Sequence, residues 1–110
     1  MLDLALRAIA EPNRRKILRI VQSRELSVGD IASQFEVTRP AISQHLKVLA
    51  DAGLVSVRRQ GTSLLYRTRP EGLAELRRFL DELWDNSLQL LKQEVEAEER
   101  RLDGNRTTRD

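Results

Sequence analysis

The chain has no cysteine. That absence excludes disulfides, thiolate metal sites and a cysteine nucleophile together, and it suits a reducing, cytoplasmic compartment. Aromatic residues are scarce, with one Trp, one Tyr and two Phe, which argues against holding single strands by base stacking. No apolar run approaches the ~20 residues of a membrane span, so no membrane partner is expected. Asp3 and Arg7 interrupt the N-terminal apolar stretch, and no signal peptide is legible there. The one histidine is His45. No Ser/His/acid arrangement of workable geometry, no phosphate-cradling glycine loop and no metal cluster stands out, so the residues do not read as an enzyme's and call for no cofactor.

What is present fits one domain of 110 residues with a modest core, 40% apolar and 33% charged. The net charge of +2 hides a split. Residues 1–69 carry twelve Lys/Arg against six Asp/Glu, and residues 70–110 carry seven against eleven. A basic body suggests a polyanion partner, although charge alone leaves ordinary solvated surface as an equal reading.

The stretch around which the rest is organised is TRPAISQHLKVLADAG, residues 38–53. Ile42, Leu46 and Leu49 recur at helical spacing and form an apolar stripe. Arg39, Ser43, Gln44 and Lys47 fall on the other side, and such groups bond phosphates and base edges in the major groove. Thr38 is a good N-cap whose hydroxyl can also touch a backbone phosphate, Pro40 is tolerated in the first turn, and Gly53 supplies a left-handed stop with Leu54 folding back on Leu49. The segment reads as a DNA recognition helix. Gln44 could bond adenine, and Arg39 could reach guanine or a phosphate; the sequence does not choose. His45 lies between the two faces, with a packing or phosphate-proximal role.

Upstream, Leu2 to Ala10 reads as a short amphipathic helix with Leu2, Leu6 and Ile9 on one side. Pro12 opens a helix over about Asn13 to Ser23, with Ile17, Leu18 and Val21 inward and Arg14, Arg15, Lys16 and Arg19 mostly outside, either solvated or touching phosphates. Ser27 caps the next helix, with Asp30 completing a weak capping box; Val28, Ile31, Ala32 and Phe35 face inward. Phe35-Glu36-Val37 is a three-residue bend into Thr38, making residues 27–52 a helix-turn-helix.

After Gly53 the period changes to two. Leu54 to Gln60 and Ser63 to Arg69 read as strands joined at Gly61-Thr62. This hairpin, residues 54–69, is a wing whose basic tip carries Arg58, Arg59, Gln60 and Thr62, able to follow the phosphate backbone or enter the minor groove. Pro70 starts a last helix, about residues 71–101, with apolar residues at three-four spacing from Leu73. At ~30 residues it spans ~45 Å, more than so small a core can cover. Leu73 and Leu76 suit the core. Leu80, Leu83, Trp84, Leu90 and Leu91, joined by Leu2, Leu6 and Ile9, are expected to pair with a second subunit. Tyr66 suits a core or interface anchor. Residues 103–110 read as a flexible tail.

The expected fold is mainly α with a small β-hairpin: a single winged helix-turn-helix domain over residues 1–102, with N- and C-terminal dimerisation helices. In order and spacing, AEPNRRKILRIV (10–21), ELSVGDIA (25–32), TRPAISQHLKVLADAGLV (38–55) and RRQGTSLLYR (58–67) resemble the ArsR/SmtB family of bacterial winged-helix repressors. The resemblance covers about half the chain. It implies a homodimeric, cytosolic transcription repressor on a palindromic duplex, often released by an inducer. Metal-sensing members of that family carry cysteines where this chain has Ser27 and Gly29, and others use histidines on the terminal helix. Neither set is present, and Asp81, Glu82 and Asp85 without imidazole make a poor transition-metal site, so metal sensing is not carried over. Glu36 stands where the family often has glycine in the turn. If the residue there must be left-handed, it costs about 1 kcal/mol. The rival reading is a dimeric winged-helix adaptor that binds protein and no DNA. Control by a small molecule, by another effector or by concentration through autoregulation is left open.

Overall fold

The computed structural model describes the backbone of residues 2–109 and the side chains of residues 2–104. The elements are α1 (Leu2–Ile9), α2 (Pro12–Ile20), β1 (Leu26–Ser27), α3 (Val28–Ala32), α4 (Arg39–Asp51), β2 (Val55–Gln60), β3 (Ser63–Thr68) and α5 (Pro70–Arg109). They form two units that meet within α5, residues 1–77 and 78–110, where the sequence reading has one domain over 1–102.

In the first unit the apolar faces of the short helices converge. Ile17, Val21, Ile31, Ile42, Leu46, Leu49 and Leu54 are fully buried, with Leu76 close behind. α1 contributes differently from expectation. Its inward residues are the small Ala5 and Ala8, which admit close approach, while Leu2, Leu6 and Ile9 are half-buried on its flanks and Leu4 is exposed.

The helix ends follow local chemistry. Thr38 Oγ1 accepts from the amide of Ala41, and Ser27 Oγ from that of Asp30. Glu11 caps α2 by accepting from Arg14 N. α2 ends at Ile20, short of Ser23, with Val21 as its C-cap. α4 closes with Gly53 at φ 75, whose amide donates to Ala50 O, while Leu54 N donates to Leu49 O. This paired arrangement is the Schellman stop that Gly53 announces.

Two corrections concern the turn and the sheet. The connection between α3 and α4 spans residues 33–38, longer than the three-residue bend, because amides of Gln34 and Phe35 still donate to Ile31 and Ala32 after α3 has ended. Among the described residues only glycines have positive φ, so Glu36 bears no left-handed cost. The sheet has three antiparallel strands in the order β1-β3-β2, not a bare hairpin. Leu26 pairs with Tyr66 and Ser27 with Leu65, while Val55 to Gln60 pair with Thr68 to Ser63. Thr68 is buried, its hydroxyl donating to Leu18 O and its amide to Val21 O, so β3 satisfies carbonyls at the end of α2.

Gly72, in the first turn of α5, has no room for a side chain. A Cβ there would stand 1.8 Å from Gly53 O. The described residues of the second unit are helix alone, and a single helix has nothing within itself to bury an apolar face against. Apart from the half-buried Phe79 its large apolar residues are exposed, Trp84 at 66% and Leu90 at 62%, with Leu80, Leu83, Leu88, Leu91, Val95 and Leu102 at about half. Helical backbone runs to Arg109, past Arg101 and through the stretch expected to be tail. Asp110 lies outside the described residues.

Candidate nucleic-acid interface

α4 separates its faces as its spacing requires. Ile42, Leu46 and Leu49 are buried, and Arg39, Ser43, Gln44 and Lys47 are exposed. Arg39, Ser43 and Lys47 succeed one another at four-residue steps, one above the next on the helix surface, with Gln44 beside them. The buried stripe anchors the helix, so the exposed ridge is held by the core rather than by its own contacts. Arg39 lies against α3: the position of a Cβ on Gly29 is 3.8 Å from its Cζ.

His45 does not share this ridge. Its side chain is 19% exposed and lies between two residues of the α2 start. Nδ1 is 3.4 Å from Arg14 Nη1, and Nε2 is 3.8 Å from Glu11 Oε2. Packing against α2 therefore accounts for it.

The basic run on α2 also has work inside the chain. Arg14 donates from Nε to Ala8 O at 2.6 Å and from Nη2 to Arg7 O at 3.1 Å. Arg15 Nη1 donates to Ile9 O at 2.7 Å. These guanidiniums cap the carbonyl end of α1, where positive charge is favourable. Lys16 Nζ donates to Gln34 O and sits 4.4 Å over the Phe35 ring, pinning the α3–α4 turn. The sequence leaves solvation and phosphate contact open for these residues; the acceptors come from other segments and have no local signal.

In the wing, β2 and β3 are joined by Gly61 and Thr62, with Gly61 at φ 63. Type II′ hairpins place glycine at this first central position. Arg59, Gln60 and Thr62 are exposed at the tip. Arg58 is engaged: Nε donates to both carboxylate oxygens of Glu25, at 3.0 and 2.8 Å, and Nη2 to Gln60 Oε1. The hydrogen bond that Glu25 accepts, and then its charge, raise the Arg58 pKa above its already high ordinary value. Glu25 precedes β1, so the pair ties β2 to the first strand, and it partly neutralises one of the cations expected at the tip. Tyr66 packs against the core.

Among the described residues no group of three or more His, Asp or Glu is placed to hold a metal ion, and no helix is long and apolar enough to cross a membrane. Ser27 caps α3, and Gly29 lies against Arg39.

Residues 11–57 match the family described as bacterial regulatory protein, arsR family. The chain is 43% identical over 96 residues to the HTH-type transcriptional regulator Rv2034 of Mycobacterium tuberculosis, covering 87% of this chain and 90% of that protein. It is 40% identical over 60 residues to the transcriptional repressor SdpR of Bacillus subtilis, covering 54% of this chain and 67% of that one. Among solved structures, one described as a possible transcriptional regulator for arsenical resistance is similar at a TM-score of 0.67 and 46% identity, covering 72% of this chain and 82% of that one. With a buried-backed polar helix, a three-stranded wing and these relatives, the chain belongs to the arsR family of bacterial regulatory proteins and is a DNA-binding transcription regulator, not an enzyme.

Proposed function

We propose that the protein is a homodimeric repressor that binds a palindromic duplex through the exposed ridge of α4, with Arg39, Ser43, Gln44 and Lys47 as contacts and Arg59, Gln60 and Thr62 of the wing beside them. Thr38 serves as the cap, and Arg58 and His45 stand outside the contact set. The observation that carries the reading is the ridge itself, four polar side chains exposed on a helix whose reverse face is fully buried. Two such helices related by a twofold axis would enter major grooves about one turn apart, ~34 Å.

The dimer is supported by the exposed apolar side chains of α5, Leu80, Leu83, Trp84, Leu90 and Leu91. Contiguous apolar surface of this kind marks a protein contact. In this reading Leu2, Leu6 and Ile9 of α1 also meet the second subunit. Control is independent of metal, since the chain has no cysteine and a single histidine. Repression follows where the site overlaps a promoter, the chain's own included.

The test is selection from a random-sequence duplex pool, followed by footprinting upstream of the chain's own gene. The expected product is an inverted repeat with half-sites about one helical turn apart. Recovery of no enriched sequence at low ionic strength would favour the adaptor reading instead.

A further inference from the structure

Gly29 and Arg39 form the floor of a cleft at the junction of the helix-turn-helix and the wing. The position a Cβ would take on Gly29 is 3.8, 3.8 and 3.9 Å from Arg39 Cζ, Nη1 and Nη2. Near-equal distances to three coplanar atoms put that position over the guanidinium plane and not at its edge. The guanidinium therefore lies with one face toward α3. Its N–H groups radiate within the plane, so seating the face leaves donor edges available. A planar fork of this kind matches two oxygens of one phosphate.

The surroundings suit an anion. The cleft, of ≈ 430 Å³, is lined beside Arg39 by the hydroxyl residues Ser27, Thr62 and Ser63, and no Asp or Glu is among its lining residues. Ser27 Oγ accepts from Asp30 N and keeps its own proton to donate. The contrast is the cleft lined by Arg67 and Arg69, which also carries Glu71. Thr62 brings the wing tip to the same place as the first residue of α4, so one backbone group seated here would touch both parts of the domain.

We propose that this cleft receives a phosphodiester of the bound duplex, with Arg39 as its clamp, and that base reading falls to residues further along α4, Gln44 foremost. The inference rests on the DNA-binding reading above and divides its labour. An arginine seated on α3 fixes register along the backbone; to reach a base edge it would have to leave that seat.

The experiment uses the full chain with two duplexes of equal length, one selected by the protein from a random pool and one scrambled, titrated over a series of salt concentrations. For Arg39→Gln, affinity for both duplexes falls by a similar factor, the slope of log K against log salt shrinks by about one, and the ratio between the duplexes stays constant. Arg39→Lys keeps the slope but not the full affinity, because the charge remains and the fork is lost. Gln44→Ala does the reverse, lowering the ratio at unchanged slope. Loss of the ratio at unchanged slope in Arg39→Gln would make Arg39 a base reader and overturn the clamp, while DNA binding itself stands. Displacement of duplex from the parent but not from Arg39→Gln by inorganic phosphate at constant ionic strength would assign the cleft to a free anion and also overturn it. A parent protein that selects no duplex would instead remove the reading on which the inference rests.

Discussion

Arg14 Nη1 lies 3.4 Å from His45 Nδ1, joining the helix before the helix-turn-helix to the helix that carries the polar ridge. An arginine can only donate, so Nδ1 is the accepting side of this contact, and Nε2 is turned toward Glu11 Oε2 at 3.8 Å. The same guanidinium caps Arg7 and Ala8. One side chain thus binds α1, α2 and α4 together.

Arg14→Ala should therefore be costly for a residue of its modest burial. It leaves two α1 carbonyls and the imidazole without their donor, a loss of about 1–3 kcal/mol. In a domain of this size the melting temperature falls by roughly 5–15 °C, measurable by thermal denaturation followed by circular dichroism. His45→Ala, which leaves the caps in place, costs about 0.5–1.5 kcal/mol. Its affinity for selected duplex, measured where both proteins are folded, stays within about twofold.

Gln44→Ala weakens binding to selected duplex by roughly 1–3 kcal/mol and leaves the scrambled duplex unaffected. Equal affinity of variant and parent for the selected duplex would remove Gln44 as a reader.

Glu25→Gln frees Arg58 from its carboxylate. Affinity for any duplex rises, and the salt slope steepens by about one. For the same reason Arg58→Ala in the parent weakens binding less than Arg59→Ala. A larger effect at Arg58 would show that it exchanges Glu25 for phosphate on binding.

Gly72→Ala places a methyl 1.8 Å from Gly53 O, where backbone opposes backbone and neither can rotate away. The expected loss exceeds about 3 kcal/mol, seen as insolubility or a sharply lowered melting temperature. Gly104→Ala, with nothing within 4 Å of the added methyl, is the control. It raises helicity slightly, since glycine disfavours a helix interior by about 0.5–1 kcal/mol.

Leu83→Asp with Leu90→Asp places charge among the exposed apolar side chains of α5. Sedimentation should then show a monomer where the parent is a dimer, with weaker duplex binding. A monomeric parent would sink the dimer and with it the palindrome.

What was legible from residues alone was local. Thr38 as cap, Gly53 as stop and the Ile42, Leu46, Leu49 stripe each declare themselves within one turn, and α4 runs as they specify. The fold class followed from such elements in order. What escaped depends on segments far apart in the chain. β1 is two residues long and exists only because Tyr66 and Leu65 lie beside it, and two residues carry no periodicity. The work of Arg14 and Arg15 depends on carbonyls six and seven residues earlier, and Gly72 is demanded by a carbonyl at Gly53. On α4, exposure separates Arg39, Ser43, Gln44 and Lys47 from His45, a division that helical spacing leaves ambiguous at the boundary of two faces.

The abutment of Gly53 and Gly72 has a bearing on how such a regulator could change its target. With the end of α4 wedged against the opening turn of α5, an inserted residue there has nowhere to go. New specificity is then expected from exchanging side chains along a rod of constant length, or at the exposed wing residues beside Gly61, whose own φ of 63 holds that position to glycine.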